Sequence, residues 1–282
     1  MPGFGTAHQT VTTGANFIPE IWSKDVQRAT ESNLVAGKLV KRFDAEVAAK
    51  GDILHIPLIS NLVATAKSAS TAVTFQSPTE NKVDLTVNAH YESSILIEDI
   101  LDNQSAYNLA QEYKEKMSYA LSKKVDTDVL ALYTNLSQSS GTSGVQPSDD
   151  DVLRGIQFLD AADAPNKDRA FIMGPSCKAA LLGIDRYVST DFTGAGDIPV
   201  KTGLFGQRYG LLFYVSTNLP TDSNGYMVNQ MIHKEAYACA IQKNITMKSD
   251  YVIEHLATAY VAQVLYGVIT YRAAFGVTIL GK

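Results

Sequence analysis

Apolar and polar residues alternate with a strict period of two between positions 83 and 91. Val83, Leu85, Val87, Ala89 and Tyr91 fall between Asp84, Thr86, Asn88 and His90. This pattern predicts a strand with one dry and one wet face. The stretch 51–59, Gly-Asp-Ile-Leu-His-Ile-Pro-Leu-Ile, predicts a turn leading into a second strand. The connection between them, 60–79, carries Lys67 as its only charged residue and consists mainly of Ala, Ser, Thr and Val. Structureless connections beyond about 12–15 residues are uncommon unless functional or disordered, and a disordered linker is normally richer in charge, Pro or Gly. Two readings follow: a long two-stranded arm that reaches a neighbouring subunit, or a simple surface loop.

The pattern then switches period. Ala106, Leu109, Ala110, Tyr113, Met117, Ala120, Leu121, Val125, Val129 and Leu132 recur at three- to four-residue steps, and 105–136 holds no Pro or Gly. That predicts a helix longer than most globular ones, a structural strut with one solvated face. The Ser/Gly-rich stretch 137–148 reads as a linker and as the best domain boundary. Asp149, Asp150 and Asp151 suit a helix start and offer its N-cap, and Val152, Ile156 and Leu159 carry that helix. Short strands are predicted at 170–173 and 211–215, with a helix around Ala179–Leu182 between them. The period over 226–241 is ambiguous between strand and helix, and 252–280, rich in Val, Tyr, Thr and Ile, reads as strand. At the N-terminus, 1–15 reads as an arm. The spacing of Ile21, Trp22, Val26 and Ala29 predicts a short amphipathic helix from Pro19, placing the only tryptophan where it would dock on its own core or on a neighbour. The sum is an α+β chain.

Composition narrows the function. Of 282 residues, 45% are hydrophobic and 19% charged, which supports a sizeable core and argues against global disorder. The net charge of −5 argues against a dedicated nucleic-acid binder, though not against a wall that encloses nucleic acid without gripping it. Cys177 and Cys239 read as buried small hydrophobes in a reducing compartment, with a single disulfide left open. No signal peptide and no membrane span of about 18 apolar residues is read from the chain. The sequons at Asn103, Asn135 and Asn244 read as chance matches.

Candidate chemistry is sparse. His-Glu-x-x-His, Cys-x-x-Cys and calcium-loop motifs are absent, so no metal and no cofactor is expected. Gly194-Ala-Gly196 and Gly203-Leu-Phe-Gly206 fail as phosphate loops and read as backbone turns. No Gly-x-Ser-x-Gly elbow occurs. His8, His55, His90, His233 and His255 are scattered and read as structural or solvated. Cys177 follows a strand and turn, where a helix N-terminus would favour a thiolate. No catalytic residue is assigned.

Taken in order, these segments resemble the major capsid proteins of tailed bacteriophages, with the Hong Kong 97-like fold. The likeness is carried by Ile18-Pro19-Glu20-Ile21-Trp22, then Lys50-Gly51-Asp52-Ile53-Leu54-His55-Ile56-Pro57, then the strand 83–91 running into Ile95-Leu96-Ile97-Glu98-Asp99 and the long helix. Arg169 to Pro175 with Leu181-Leu182, and the glycine, apolar strand and Asn-Leu-Pro passage of 206–220, continue it. The resemblance implies an N-terminal arm (1–49), an extended β-hairpin loop (50–92), a peripheral domain with a spine helix (93–148), an axial domain (149–250) and C-terminal strands returning to the peripheral domain (251–282). It implies a structural protein that is not an enzyme, self-assembling into pentamers and hexamers of an icosahedral shell around double-stranded DNA in the bacterial host cytoplasm. Scaffolding, portal and decoration proteins are the implied partners, and no membrane is involved. Trp22, Lys67 and Phe75 are the candidate intersubunit contacts. Some relatives cross-link a lysine of the extended loop to a distant asparagine; Lys67 lies in that segment, with no partner identifiable. Two alternatives remain: an encapsulin-type nanocompartment shell, and an enzyme with a dispersed site within 149–250.

Overall fold

The computed structural model describes residues 31, 34–48, 51–78, 80–100, 109–188 and 206–282. Residues 1–15 of the expected arm, the helix predicted from Pro19 with Trp22, and the glycine-rich passage 193–205 lie outside the described residues.

The chain runs through a short helix α1 (Ala36–Leu39), strand β1 (Lys41–Arg42) and helix α2 (Asp44–Val47). Strands β2 (Ile53–Ile59), β3 (Glu80–Thr86) and β4 (Ala89–Glu98) follow, then the long helix α3 (Leu109–Ala131). Beyond it come β5 (Gln138–Gly141), α4 (Asp149–Ala161), β6 (Arg169–Met173), α5 (Pro175–Leu182) and α6 (Asp185–Val188). The chain closes with β7 (Gln207–Arg208), β8 (Leu211–Val215), β9 (Asn229–His233), β10 (Tyr237–Val252), β11 (Ala257–Thr270) and β12 (Gly276–Leu280).

These strands form three sheets: β1-β10-β11-β4, β5-β12-β9-β6-β8-β7, and the two-stranded β2-β3. The period-two stretch 83–91 is therefore two strands in two sheets. The alternation persists through the break because Leu85 and Val87 are both buried, although β3 pairs with β2 and β4 with β11.

The four-stranded sheet is packed on both faces, and side-chain alternation decides what meets what. On one face, Ala262, Val264 and Tyr266 of β11 join Met117, Leu121, Val125 and Val129 of α3 in the main core. On the other, Ala238, Ala240, Leu265 and Ile269 join Val47, Ile56, Leu85 and Val87 in a second, smaller core. The helix stripe was legible, but the predicted extent was not. α3 tightens after Ala131 into a 3₁₀ turn, Leu132–Asn135, and 105–108 lie outside the described residues.

In the six-stranded sheet, β6 and β9 are buried along their whole length, as central strands covered on both faces are. The presumed linker 137–148 is not a free spacer: β5 arises within it and pairs in parallel with β12. The strands expected to return together part company. β11 lies beside β4, whereas β12 enters the six-stranded sheet between β5 and β9. The ambiguous stretch 226–241 is resolved as β9 and the start of β10. The N-cap of α4 is Ser148, not one of the three aspartates. Its hydroxyl accepts from the Asp151 amide, and the Asp151 carboxylate accepts from the Ser148 amide at 2.9 Å, a capping box.

The two larger sheets are joined by buried polar groups. Gln230 on β9 donates from Nε2 to the Leu130 carbonyl at 2.8 Å, near the C-terminus of α3, and accepts at Oε1 from the Tyr237 hydroxyl at 3.0 Å. One side chain thus links β9, β10 and the end of α3. Asp126, 2% exposed, accepts from the Ala36 amide at 2.7 Å, the Gly37 amide at 3.3 Å and Asn218 Nδ2 at 3.2 Å. It ties the segment at Ala36–Gly37 to the C-terminal third of α3.

Candidate intersubunit interface

The ribbon β2–β3 is built in continuous antiparallel register, from Ile53 opposite Thr86 to Ile59 opposite Glu80. Its inner face carries Leu54, Ile56 and Leu58 opposite Leu85, Val83 and Asn81. Ile56 and Leu85 are buried and Leu54, Leu58 and Val83 half-buried, whereas Ile59, on the opposite face, is 86% exposed. Pro57 is tolerated because a two-stranded ribbon leaves one backbone edge unpaired.

The base is held by close backbone approach. A Cβ at Gly267 of β11 would stand 2.2 Å from the Thr86 carbonyl oxygen and 3.0 Å from Val87 Cα, so only glycine lets the end of β3 lie there. The Val87 amide donates to the Asp52 carbonyl at 2.7 Å. Gln242 Nε2 donates to the Val47 and Gly51 carbonyls at 3.1 and 2.9 Å. Midway along the shank, Asp84 bridges His55 Nδ1 at 2.5 Å and Lys82 Nζ at 3.2 Å. The His55 ring, and after it Lys82, hold the Asp84 carboxyl below its ordinary range.

Residues 61–78 are exposed throughout. A turn at Ser68–Thr71, with Ser70 at φ 64°, forms the tip. Gln76 reaches across to the backbone of Val63, accepting from its amide at 3.0 Å and donating to its carbonyl. That side chain takes the place of a ladder rung. Leu62 and Val63 are each 69% exposed, Val73 59% and Phe75 92%. Of the three expected contact residues, Phe75 and Lys67 lie on this exposed segment, and Trp22 lies outside the described residues. Further exposed apolar side chains, unforeseen in the sequence, lie near the turn from β10 into β11: Tyr251, Ile253 and Leu256, with Leu96 and Ile100 on and just beyond β4. The register places Tyr251 and Leu96 on opposite faces of the sheet.

Chemistry is thin elsewhere. Both cysteines are free and buried; burial pushes Cys177 up to about 12 and Cys239 to about 11, the reverse of an activated thiolate. His55 and His90 bond to Asp84 and Gln263. His233 is buried edge-on against Phe275, and desolvation lowers its pKa. Among the described residues no group of three His, Cys, Asp or Glu is placed to hold a metal ion, and no helix is long and apolar enough to cross a membrane.

Isolated exposed apolar side chains are ordinary, but contiguous ones mark an interaction surface. An anchored ribbon carrying such a run is a candidate interaction surface. The family model described as phage capsid protein matches residues 94–279, more than half of the chain, and the chain belongs to that family. No curated protein matches it in sequence. In structure it is similar to a chain from Mycobacterium phage Che8, with TM-score 0.80, 23% identity, 94% of this chain and 97% of that one covered. It is also similar to the capsid of Cyanophage P-SCSP1u, with TM-score 0.79, 15% identity and 99% and 96% covered. A chain from Gordonia phage Cozz follows, with TM-score 0.75, 13% identity and 99% and 97% covered. The fold is the Hong Kong 97-like capsid fold. The role is structural, that of a major capsid protein, which self-assembles and resides in the virion shell.

Proposed function

We propose that the chain forms pentamers and hexamers of an icosahedral shell around double-stranded DNA, and that the ribbon reaches over a neighbouring subunit. The observation that carries this reading is the run Ile59, Leu62, Val63, Val73 and Phe75, each more than half exposed on a ribbon whose base is buried. At about 25 cal/mol per Å² of apolar surface removed from water, covering that run supplies a driving force for assembly without any ion or cofactor. In this reading the four-stranded sheet with α3 is the peripheral part and the six-stranded sheet, β12 included, the axial part. Residues 1–49 serve as the arm. The shell performs no catalysis, assembles in the cytoplasm of a bacterial host, and takes scaffolding, portal and decoration proteins as partners.

Negative-stain electron microscopy with light scattering tests the assembly, on the protein alone and with a candidate scaffolding protein. Closed shells or capsomer rings are expected; a monodisperse monomer or dimer under both conditions refutes the reading. Deletion of residues 61–77 tests the ribbon. A folded, soluble subunit that fails to form stable shells is expected. An unfolded subunit would make the segment part of its own core.

A further inference from the structure

The four-stranded sheet has two outer edges, and they are treated differently. The edge of β10 is blunted. β1 covers Ala238 and Cys239, register shifts interrupt it between Ile241 and Thr246, and Lys243 and Lys248 lie along it. Short cover, bulges and lysines are the ordinary means of keeping a strand edge from pairing with another chain. The edge of β4 has none of them. Its register with β11 runs unbroken from Ala89 opposite Tyr266 to Glu98 opposite Ala257, and the strand contains no Pro, Gly or Lys. Among the described residues nothing pairs with its outer side. At roughly 3.3 Å per residue its ten residues offer about 33 Å of open backbone.

The chain also carries a segment with the complementary deficiency. Residues 61–67, Asn-Leu-Val-Ala-Thr-Ala-Lys, are exposed and belong to no strand. The backbone of Val63 is engaged by Gln76, toward the other limb. In an extended chain, alternate residues direct their amides to opposite sides, which leaves Leu62 and Ala64 facing away from that limb. Seven residues span about 23 Å, within the length of β4. Charge agrees as well: Lys67 is the one charged residue of the limb, while β4 exposes Glu92 and Glu98.

We propose that β4 of one copy takes residues 61–67 of a second copy's ribbon as a fifth strand of its sheet. This rests on the ribbon being an intersubunit arm and adds where it lands and how it is held. Main-chain hydrogen bonds supply the pairing, and the Lys67 ammonium meets Glu92 in an antiparallel or Glu98 in a parallel arrangement. Strand addition of this kind draws affinity from backbone groups and specificity from alternate side chains.

Hydrogen–deuterium exchange of the peptide covering 89–98 is compared between assembled shells and unassembled subunits. Exchange slowed about tenfold or more in shells is expected; an unchanged rate overturns the proposal. A cross-link then identifies the occupant. Thr65→Cys is combined in turn with Glu92→Cys, Ser94→Cys and Leu96→Cys, the two native thiols being buried. Oxidised shells should yield a covalent dimer for at least one pair, and protection of β4 without any cross-link assigns the edge to something else and overturns the proposal. The two readings fail separately. A 61–77 deletion that still forms shells removes the ribbon reading. A deletion that blocks assembly, with β4 exchange unchanged in wild-type shells, removes only the strand addition.

Discussion

Gly267→Ala is the smallest change that tests how the ribbon is anchored. The added Cβ meets the Thr86 carbonyl oxygen at 2.2 Å, its carbon at 2.9 Å and Val87 Cα at 3.0 Å. All three are backbone atoms, so no side chain can swing aside. An ordinary carbon–oxygen contact is about 3.3–3.6 Å, so relief requires the end of β3 to retreat by roughly an ångström. Leu85 and Val87, 0% and 6% exposed, sit on either side of the clash and retreat with it. They leave Ala238 and Ala240 partly uncovered and strain the Val87–Asp52 hydrogen bond. Overpacking of this kind costs about 1–3 kcal/mol, and the value belongs at the upper end because backbone must yield. For a chain somewhat above 250 residues, each kcal/mol lowers the melting temperature by about 2–4 °C, so a fall of about 5–10 °C is expected in thermal unfolding of the unassembled subunit. Shell yield should fall with it, since the ribbon leaves the body at an altered angle. Gly37→Ala is the control: nothing lies within 4 Å of its added Cβ, and a helical Gly-to-Ala change is neutral or stabilising. A Gly267→Ala protein that melts within about a degree of wild type and assembles normally would refute the anchoring argument.

Three further outcomes are expected. Asp126→Ala strips the Ala36 and Gly37 amides of their acceptor and should destabilise the subunit by about 2–3 kcal/mol, with early proteolysis in 34–42; an unchanged melting temperature and digestion pattern would contradict this. Burial lowers the pKa of His233, so its contribution is present above the ordinary histidine pKa of about 6.5 and is lost as pH falls through the lowered value. The melting temperature should therefore drop between about pH 7 and pH 5, and less steeply in His233→Asn. An identical slope in the variant would exclude His233 as the cause. The thiols of Cys177 and Cys239, pushed up to about 12 and 11 by burial, should resist a thiol reagent at neutral pH until the protein is denatured; rapid reaction of either in the native subunit would contradict its burial.

Local periodicity made much of the fold legible. The 3.6-residue stripe of Met117, Leu121, Val125 and Val129 marked α3 because one face of it meets one sheet. The apolar run of 170–173 marked β6 because a central strand is buried on both sides. The connection 60–79, with Lys67 its only charge, was open to two readings, an intersubunit arm and a surface loop, and its Val, Thr and Ala do not distinguish them because their partners, if any, lie outside the local sequence. Legibility failed where partners are far apart in sequence. Nothing near β5 announces that Gln138–Gly141 pairs with Val277–Leu280, so a strand looked like a linker. No local pattern marked Asp126 or Gln230, since Ala36, which donates to Asp126, and Leu130, which accepts from Gln230, lie 90 and 100 residues away.

The sequence by itself determined the type of the strongly periodic elements, α3 and β6 among them, and the absence of familiar catalytic or metal motifs, since these follow from side-chain chemistry and spacing within a few residues. Only the tertiary structure decided which strands share a sheet, which way β11 and β12 part, and why residue 267 must be glycine. It alone decided which edge of the four-stranded sheet is left open among the described residues. Those are questions of what lies opposite a residue, and backbone pairing and close packing between distant segments answer them.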